Sequence, residues 1–299
     1  QLAPLLDELR FQLGRAELGT AFLTRHQARL HTRLQSVLGE LYQQLVAPLR
    51  ADLHCRRLLI VPYGPLHRLP FHALWDGGQF LLQWATISYA PSASTVVVRR
   101  RAGTATSPSF TATQTRWAGI AIADAAIPAA RAEVAAAARC FATAQLYVDG
   151  DAGRAGLERA AQADILHLAT HGLFRPDNPF FSALKLADGW INVRELYQLA
   201  LRSQLVVLSA CESGAGVVRG GDEVVGLVRG FLGAGAREVL ASLWNVHDET
   251  AVEFMRHFYL ALTNGDGIRP ADALRAAQCW AIGEGLHPYY WAPFYVIGE

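Results

Sequence analysis

ILHLATHG at residues 165–172 and QLVVLSACESGAG at residues 204–216 decide the fold. Each begins as a nearly continuous apolar run, Ile165–Ala169 and Leu205–Ser209. Such runs belong to strands buried on both faces, as in a parallel sheet covered by helices. In sheets of that kind, sites form beyond the carboxyl ends of the strands. The first run leads into His171 and Gly172, the second into Cys211 and a glycine-rich loop. If the two strands are neighbours, imidazole and thiol emerge on one edge of the sheet. The imidazole can then take the thiol proton or hold a thiolate, and the sulfur can attack a carbonyl. A tetrahedral intermediate needs two donors aimed at its oxyanion. The unobstructed N–H of Gly172 and the N–H of Cys211, at a strand-to-loop turn, suit that task. Gly214 and Gly216 would let a substrate approach the backbone closely.

Outward from these stretches the pattern repeats. Further strands are predicted at Leu58–Val61, Thr86–Ala90, Trp117–Ala123, Gln145–Val148, Glu238–Leu243 and Phe294–Ile297. Helices are predicted over 129–141, 152–162, 193–201, 223–233, 249–262 and 270–282. Strands alternating with helices define an α/β fold with a mostly parallel sheet, covered on both faces. The Thr-, Ser- and Ala-rich stretch 99–116 reads as a loop between two halves. Residues 1 to about 50 differ: Leu2, Leu5, Leu6, Leu9 and Leu13, then Leu30, Leu34, Val37, Leu38, Leu41 and Leu45, recur at helical spacing. This helical segment reads as the end of an upstream helical array or as a helix packed on the following domain. The chain opens at Gln1 without methionine, which reads as a fragment of something longer.

Bulk composition narrows the function classes. The 299 residues, 52% apolar, can bury a full core. Twenty-seven basic and 26 acidic residues leave a net charge of +1, unlike the footprint of a nucleic-acid binder. Lys185 is the sole lysine, so no lysine follows a glycine-rich loop and a P-loop is excluded. No apolar run reaches the 18 residues of a membrane span and no signal peptide is read in these residues, so membrane insertion is not expected. Four cysteines without a C-x-x-C pair fit an intracellular, cytoplasmic protein with free thiols.

Each candidate has a plainer reading beside it. A free cysteine is commonly a small buried hydrophobe, and Cys55, Cys140 and Cys279 are read that way; the strand-end setting of Cys211 argues otherwise. His167 and His171 are four apart, a zinc spacing on a helix, but no Glu follows the first and the segment reads as a strand. Four strand residues span about 13 Å, so His167 is taken as structural. His67, His72 and His257 are read as packing or surface residues. The loop GAGVVRGG at 214–221 has the wrong glycine spacing and position for a dinucleotide fingerprint. No metal or cofactor is expected.

HLATHG (167–172) and LSACESGAG (208–216) resemble the two catalytic blocks of the CHAT domain, a caspase-like protease family often found after tetratricopeptide repeats. PYGPLHRLPFHAL (62–74), ISYAPSAS (87–94), GDEVVGLVRGFLGAGA (221–236), SLWNVHDET (242–250) and HPYYWAPFYVIG (287–298) are similar to its other blocks, in order. The resemblance covers about residues 40–299 and implies a caspase-like protease domain over 51–299, preceded by the helical segment 1–50. It implies His171 as base, Cys211 as nucleophile, and Gly172 with Cys211 as oxyanion donors. Relatives of this kind usually have no carboxylate orienting the histidine, so no acidic third member is assigned, and Glu212 is read as structural.

By the same resemblance, Ser209, two residues before the nucleophile, helps floor the pocket for the P1 side chain, and Asp248 matches a P1-binding acid of separase. A carboxylate there would favour Arg or Lys. The plainer role for Asp248 is capping the helix that begins near Glu249. Phe180, Phe181 and Trp190 are expected in the core or in a substrate-groove wall, within a loop-and-hairpin segment. The family context implies a protein substrate, such as a pore-forming effector in bacterial defence or cell death, and gating by a partner or by an upstream TPR-like region. No nucleic-acid or membrane partner is expected. The alternatives are a catalytically silent caspase-like scaffold and a Cys–His amidase or transferase acting on small molecules.

Overall fold

The computed structural model describes residues 2–15, 20–101, 108–173, 175, 178–209, 211–212, 223–244, 246, 249–265 and 267–298. The helices are α1 (Leu2–Gly14), α2 (Thr20–Leu45), α3 (Leu81–Trp84), α4 (Ala93–Arg101), α5 (Ala130–Ala138) and α6 (Arg154–Ala160). They continue with α7 (Val193–Leu196), α8 (Glu223–Ala234), α9 (Glu249–Thr263), α10 (Pro270–Gly283) and α11 (Pro288–Trp291). The strands are β1 (Arg57–Ile60), β2 (Thr86–Tyr89), β3 (Arg116–Ala121), β4 (Thr143–Val148), β5 (Ile165–Ala169) and β6 (His171–Leu173). Then follow β7 (Ala183–Leu186), β8 (Gly189–Asn192), β9 (Leu205–Leu208), β10 (Cys211–Glu212), β11 (Glu238–Ser242) and β12 (Phe294–Ile297).

Eight strands form the main sheet in the order β1-β2-β12-β11-β9-β5-β3-β4. Every pairing is parallel except β11 with β12. The central strands β5, β9, β11 and β12 are buried along their whole length, as their unbroken apolar runs require. The chain crosses from β3 to β4 through α5, then returns to β5 through α6. Right-handed crossovers in opposite directions set those two helices on opposite faces. On the α5 side, α9 and α10 complete the layer. Helix α9 supplies Phe254, Met255, Phe258, Tyr259 and Leu262, a helical stripe that is fully buried. Phe254 stacks on Phe294 of β12 with ring centroids 4.5 Å apart. Each such ring contributes roughly 1.5–3 kcal/mol through removal from water.

Helix α2 joins the same core through Leu34, Val37, Leu38, Leu41 and Tyr42. Asp272, in the first turn of α10, accepts from Thr86, Arg57 and Arg269, tying the β1–β2 edge to that helix. The opposite edge strand, β4, is largely exposed. No helix among the described residues is long and apolar enough to cross a membrane.

A second sheet has the order β10-β6-β7-β8. Its strands β6 and β10 were not expected as strands, because they continue β5 and β9 after interruptions of one and two residues. The β7–β8 hairpin lies where the loop-and-hairpin segment was expected. The stretch read as a loop from residue 99 begins with the last turn of α4, which ends at Arg101.

Candidate active site

Strands β5 and β9 are neighbours, paired from Ile165↔Leu205 to Leu168↔Leu208. Both therefore reach the same edge of the main sheet, where Ser209 N–H still donates to Leu168 O at 2.9 Å. Both chains then enter the second sheet side by side, with His171 opposite Cys211 and Gly172 opposite Glu212 in parallel register. Paired strands lie about 4.8 Å apart, so the backbones of the two residues face each other at one ladder spacing. Cys211 and Glu212 are described by their backbone. Gly172 sits on β6 between β10 and β7, opposite Leu184 on its other side.

The His171 ring is almost buried, at 5% exposure, and its Nε2 lies 2.7 Å from Asp124 Oδ2. Asp124 follows β3, the neighbour of β5 on the side away from β9. Its second oxygen, Oδ1, accepts from the backbone N–H groups of Ala126 at 2.9 Å and Ile127 at 3.3 Å. One oxygen is thus held by the chain turn and the other by the imidazole. The His171 hydrogen bond, reinforced by the Ala126 N–H, holds the Asp124 carboxyl below the ordinary carboxylate range. Lys185 Nζ on β7 stands 3.8 Å from the same Oδ2. Thr170, one residue before His171, donates its hydroxyl to Lys185 O at 2.6 Å.

Sequence reading gave His171 no acidic partner, and the structure supplies Asp124. The available signal was positional. Asp124 stands just beyond the carboxyl end of a predicted strand, where an α/β sheet gathers its chemistry.

His167 is fully buried, with Nε2 3.0 Å from Glu133 Oε1 of α5 and Nδ1 3.1 Å from the Tyr259 hydroxyl of α9. It braces the helical layer against β5, as its structural reading expected. Ser209 is nearly buried and lines a narrow crevice with Ile127, Ala129, Ala130, Glu133, Ala169 and Ala251. Its walls come from the turn after β3, the first turn of α5, the end of β5, the residue after β9 and the start of α9. Asp248 lies outside the described residues.

Phe180 and Phe181 are each 59% exposed and Trp190 is 42% exposed, so none is in the core. Cys55 is also exposed, against the expectation of a buried thiol, whereas Cys140 and Cys279 are half-buried with burial pushing both thiols up.

The family model for the CHAT domain matches residues 35–299. Mouse (Mus musculus) tetratricopeptide repeat protein 28 is 35% identical over 111 residues, covering 36% of this chain and 4% of that protein. The human (Homo sapiens) protein of the same name is 25% identical over 352 residues, covering 94% of this chain. The chain spans only 14% of the human relative's length. Among solved structures, the Saccharomyces cerevisiae separase–securin complex matches with a TM-score of 0.54 at 15% identity, over 97% of this chain and 20% of that one. The Arg-specific cysteine proteinase gingipain R matches with a TM-score of 0.50 at 9% identity, over 99% of this chain and 74% of that one. Likeness at these identities is a likeness of fold, and that fold is caspase-like.

Proposed function

Because this chain belongs to the CHAT domain family, we propose that it is a cysteine endopeptidase that cuts protein substrates with Cys211 as nucleophile and His171 as base. The observation that carries this reading is the register of the second sheet, with His171 opposite Cys211. In the first half-reaction the imidazole takes the thiol proton and the sulfur bonds to the scissile carbonyl carbon. The backbone N–H groups of Gly172 and Cys211 are the oxyanion donors. The tetrahedral intermediate collapses as His171 gives its proton to the leaving amine, and a thioester remains on Cys211. Water, deprotonated by His171, then adds to the thioester and releases the acid and the free thiol. These steps require no metal.

The P1 side chain enters beside Ser209. The crevice there is walled largely by alanines, and its Glu133 is engaged by His167, so the basic P1 preference rests on Asp248 as the resemblance assigns it. Residues 51–299 act as the catalytic domain in this reading, in the cytoplasm, with the helical segment 1–50 leading from an upstream repeat region that gates it. The tetratricopeptide repeat proteins among its relatives support that arrangement. The substrate is a protein, with a pore-forming effector in bacterial defence as the family-based suggestion.

A positional-scanning peptide cleavage assay on this chain, on Cys211→Ala and on Asp248→Ala tests the proposal. Cleavage after Arg or Lys is expected, abolished in the first variant and stripped of its basic preference in the second. Cysteine-dependent cleavage after an apolar residue would keep the peptidase and sink the acidic pocket. A cellular function that survives in Cys211→Ala would make the chain a scaffold instead.

A further inference from the structure

Resting on the proposed dyad, the geometry points to Asp124 as a positioning residue that keeps the His171 proton on Nε2, and to Lys185 as the charge that tempers it. A carboxylate only accepts, so the 2.7 Å contact requires Nε2 to be the donor. Nδ1 is then the basic nitrogen, the one left to receive the thiol proton. The tautomer of a histidine is set by the bond its other nitrogen makes.

Asp124 is itself held in place, because Oδ1 is occupied by the N–H groups of Ala126 and Ile127. Its depressed pKa keeps it ionised through the neutral range. An anion beside Nε2 stabilises the imidazolium that forms when the thiol gives up its proton. It lies on the far side of the ring from the nitrogen that serves the thiol, so it favours the ion pair over the neutral pair.

Lys185 acts in the opposite sense. Its ammonium stands 3.8 Å from Asp124 Oδ2, and its backbone is pinned next to His171 by the Thr170 hydroxyl. Part of the Asp124 field is spent on this cation, which is 40% exposed and correspondingly screened. Among the described residues, the charged side chains in contact with the His171–Asp124 pair come from two elements: Asp124 after β3 and Lys185 on β7. Glu133 on α5 is engaged by His167 instead.

Two measurements on the whole chain test this without needing a peptide substrate. In the first, selectively labelled histidine is observed by nitrogen NMR. His171 is expected in the Nε2–H form, with a strongly downfield Nε2 proton that Asp124→Asn loses and Lys185→Met moves further downfield. In the second, alkylation by iodoacetamide at pH 7 is followed at each cysteine by peptide mass mapping, with exposed Cys55 as the internal reference. Asp124→Asn should slow Cys211 about tenfold, the low end for losing a group that orients a functional histidine. Lys185→Met should speed it by about twofold, as befits an exposed pair.

Opposite signs from two neighbouring substitutions cannot arise from loosened packing. An unchanged tautomer and an unchanged Cys211 rate in Asp124→Asn would overturn the role of Asp124. Slowing in both variants would overturn the tempering role of Lys185. A wild-type Cys211 no more reactive than Cys55 would instead sink the dyad itself, while the tautomer signal still reports on Asp124.

Discussion

His72 shows how strongly single side chains in this fold depend on their surroundings. It is buried between the Tyr89 hydroxyl, 2.9 Å from Nδ1, and the Ala292 carbonyl, 2.9 Å from Nε2. The carbonyl accepts from Nε2, so Nδ1 accepts from the tyrosine. Burial pushes the His72 pKa down from 6.5 to about 4. The folded state therefore binds fewer protons than the unfolded chain between these values. Stability is intact above about pH 6.5 and is lost as pH falls towards 4, by roughly 2 kcal/mol at pH 5. Chemical denaturation at pH 7.5 and pH 5 should show this loss, and His72→Gln should lose less between the two. An equal loss in both proteins would remove His72 as a source. His287 is pushed down to about 4 as well, by burial and by the nearby His31, and accounts for part of what remains. The sequence showed His72 within the PYGPLHRLPFHAL block and read it as a packing or surface residue, but its partners and its lowered pKa come from segments far along the chain. At the same scale, His171 and Cys211 were legible because a strand end announces itself, whereas the pairing of His171 with Asp124 joins positions 47 residues apart.

Among the elements, the long buried strands and amphipathic helices were readable, and their ends fell within a few residues of expectation. Periodic burial over five or more residues leaves a repeated signal, as in β5, α9 and α10. Two strands of the second sheet left none, although its β7–β8 hairpin was expected from the resemblance. Strands β6 and β10 have three and two residues, too few for alternation to register, and they exist because their chains leave adjacent strands together. Strand β3 carries a sharper constraint than its apolar run suggests. A side chain at Gly119 would run into the indole of Trp117 and lie 3.2 Å from Val134 Cβ of α5. Trp117 is 1% exposed and has no room to retreat. Gly119→Ala should therefore cost about 1–3 kcal/mol, the usual range for overpacking a filled core. A urea midpoint within error of wild type would show that the indole can move after all.

For the molecule as a whole, the core is continuous from α2 through the main sheet to α10. Leu38 of α2 is 1% exposed and Phe258 of α9 is fully buried. Leu38→Ala should cost about 2–5 kcal/mol. It should lower one shared transition, seen alike by far- and near-ultraviolet circular dichroism, together with Phe258→Ala. Two separated transitions would mean that α2 melts independently. The sequence by itself determined the α/β class, the order of the long elements and the candidate positions of imidazole and thiol. Those follow from burial periodicity and from chemistry at strand ends, which are local properties of the chain. Only the tertiary structure decided that β5 and β9 are neighbours, that their continuations pair His171 with Cys211, and that Asp124 and Lys185 stand beside the imidazole. It also placed Glu133 and Ser209 in one crevice. Those are contacts between distant segments, set by strand order and crossover direction, and no local periodicity encodes them.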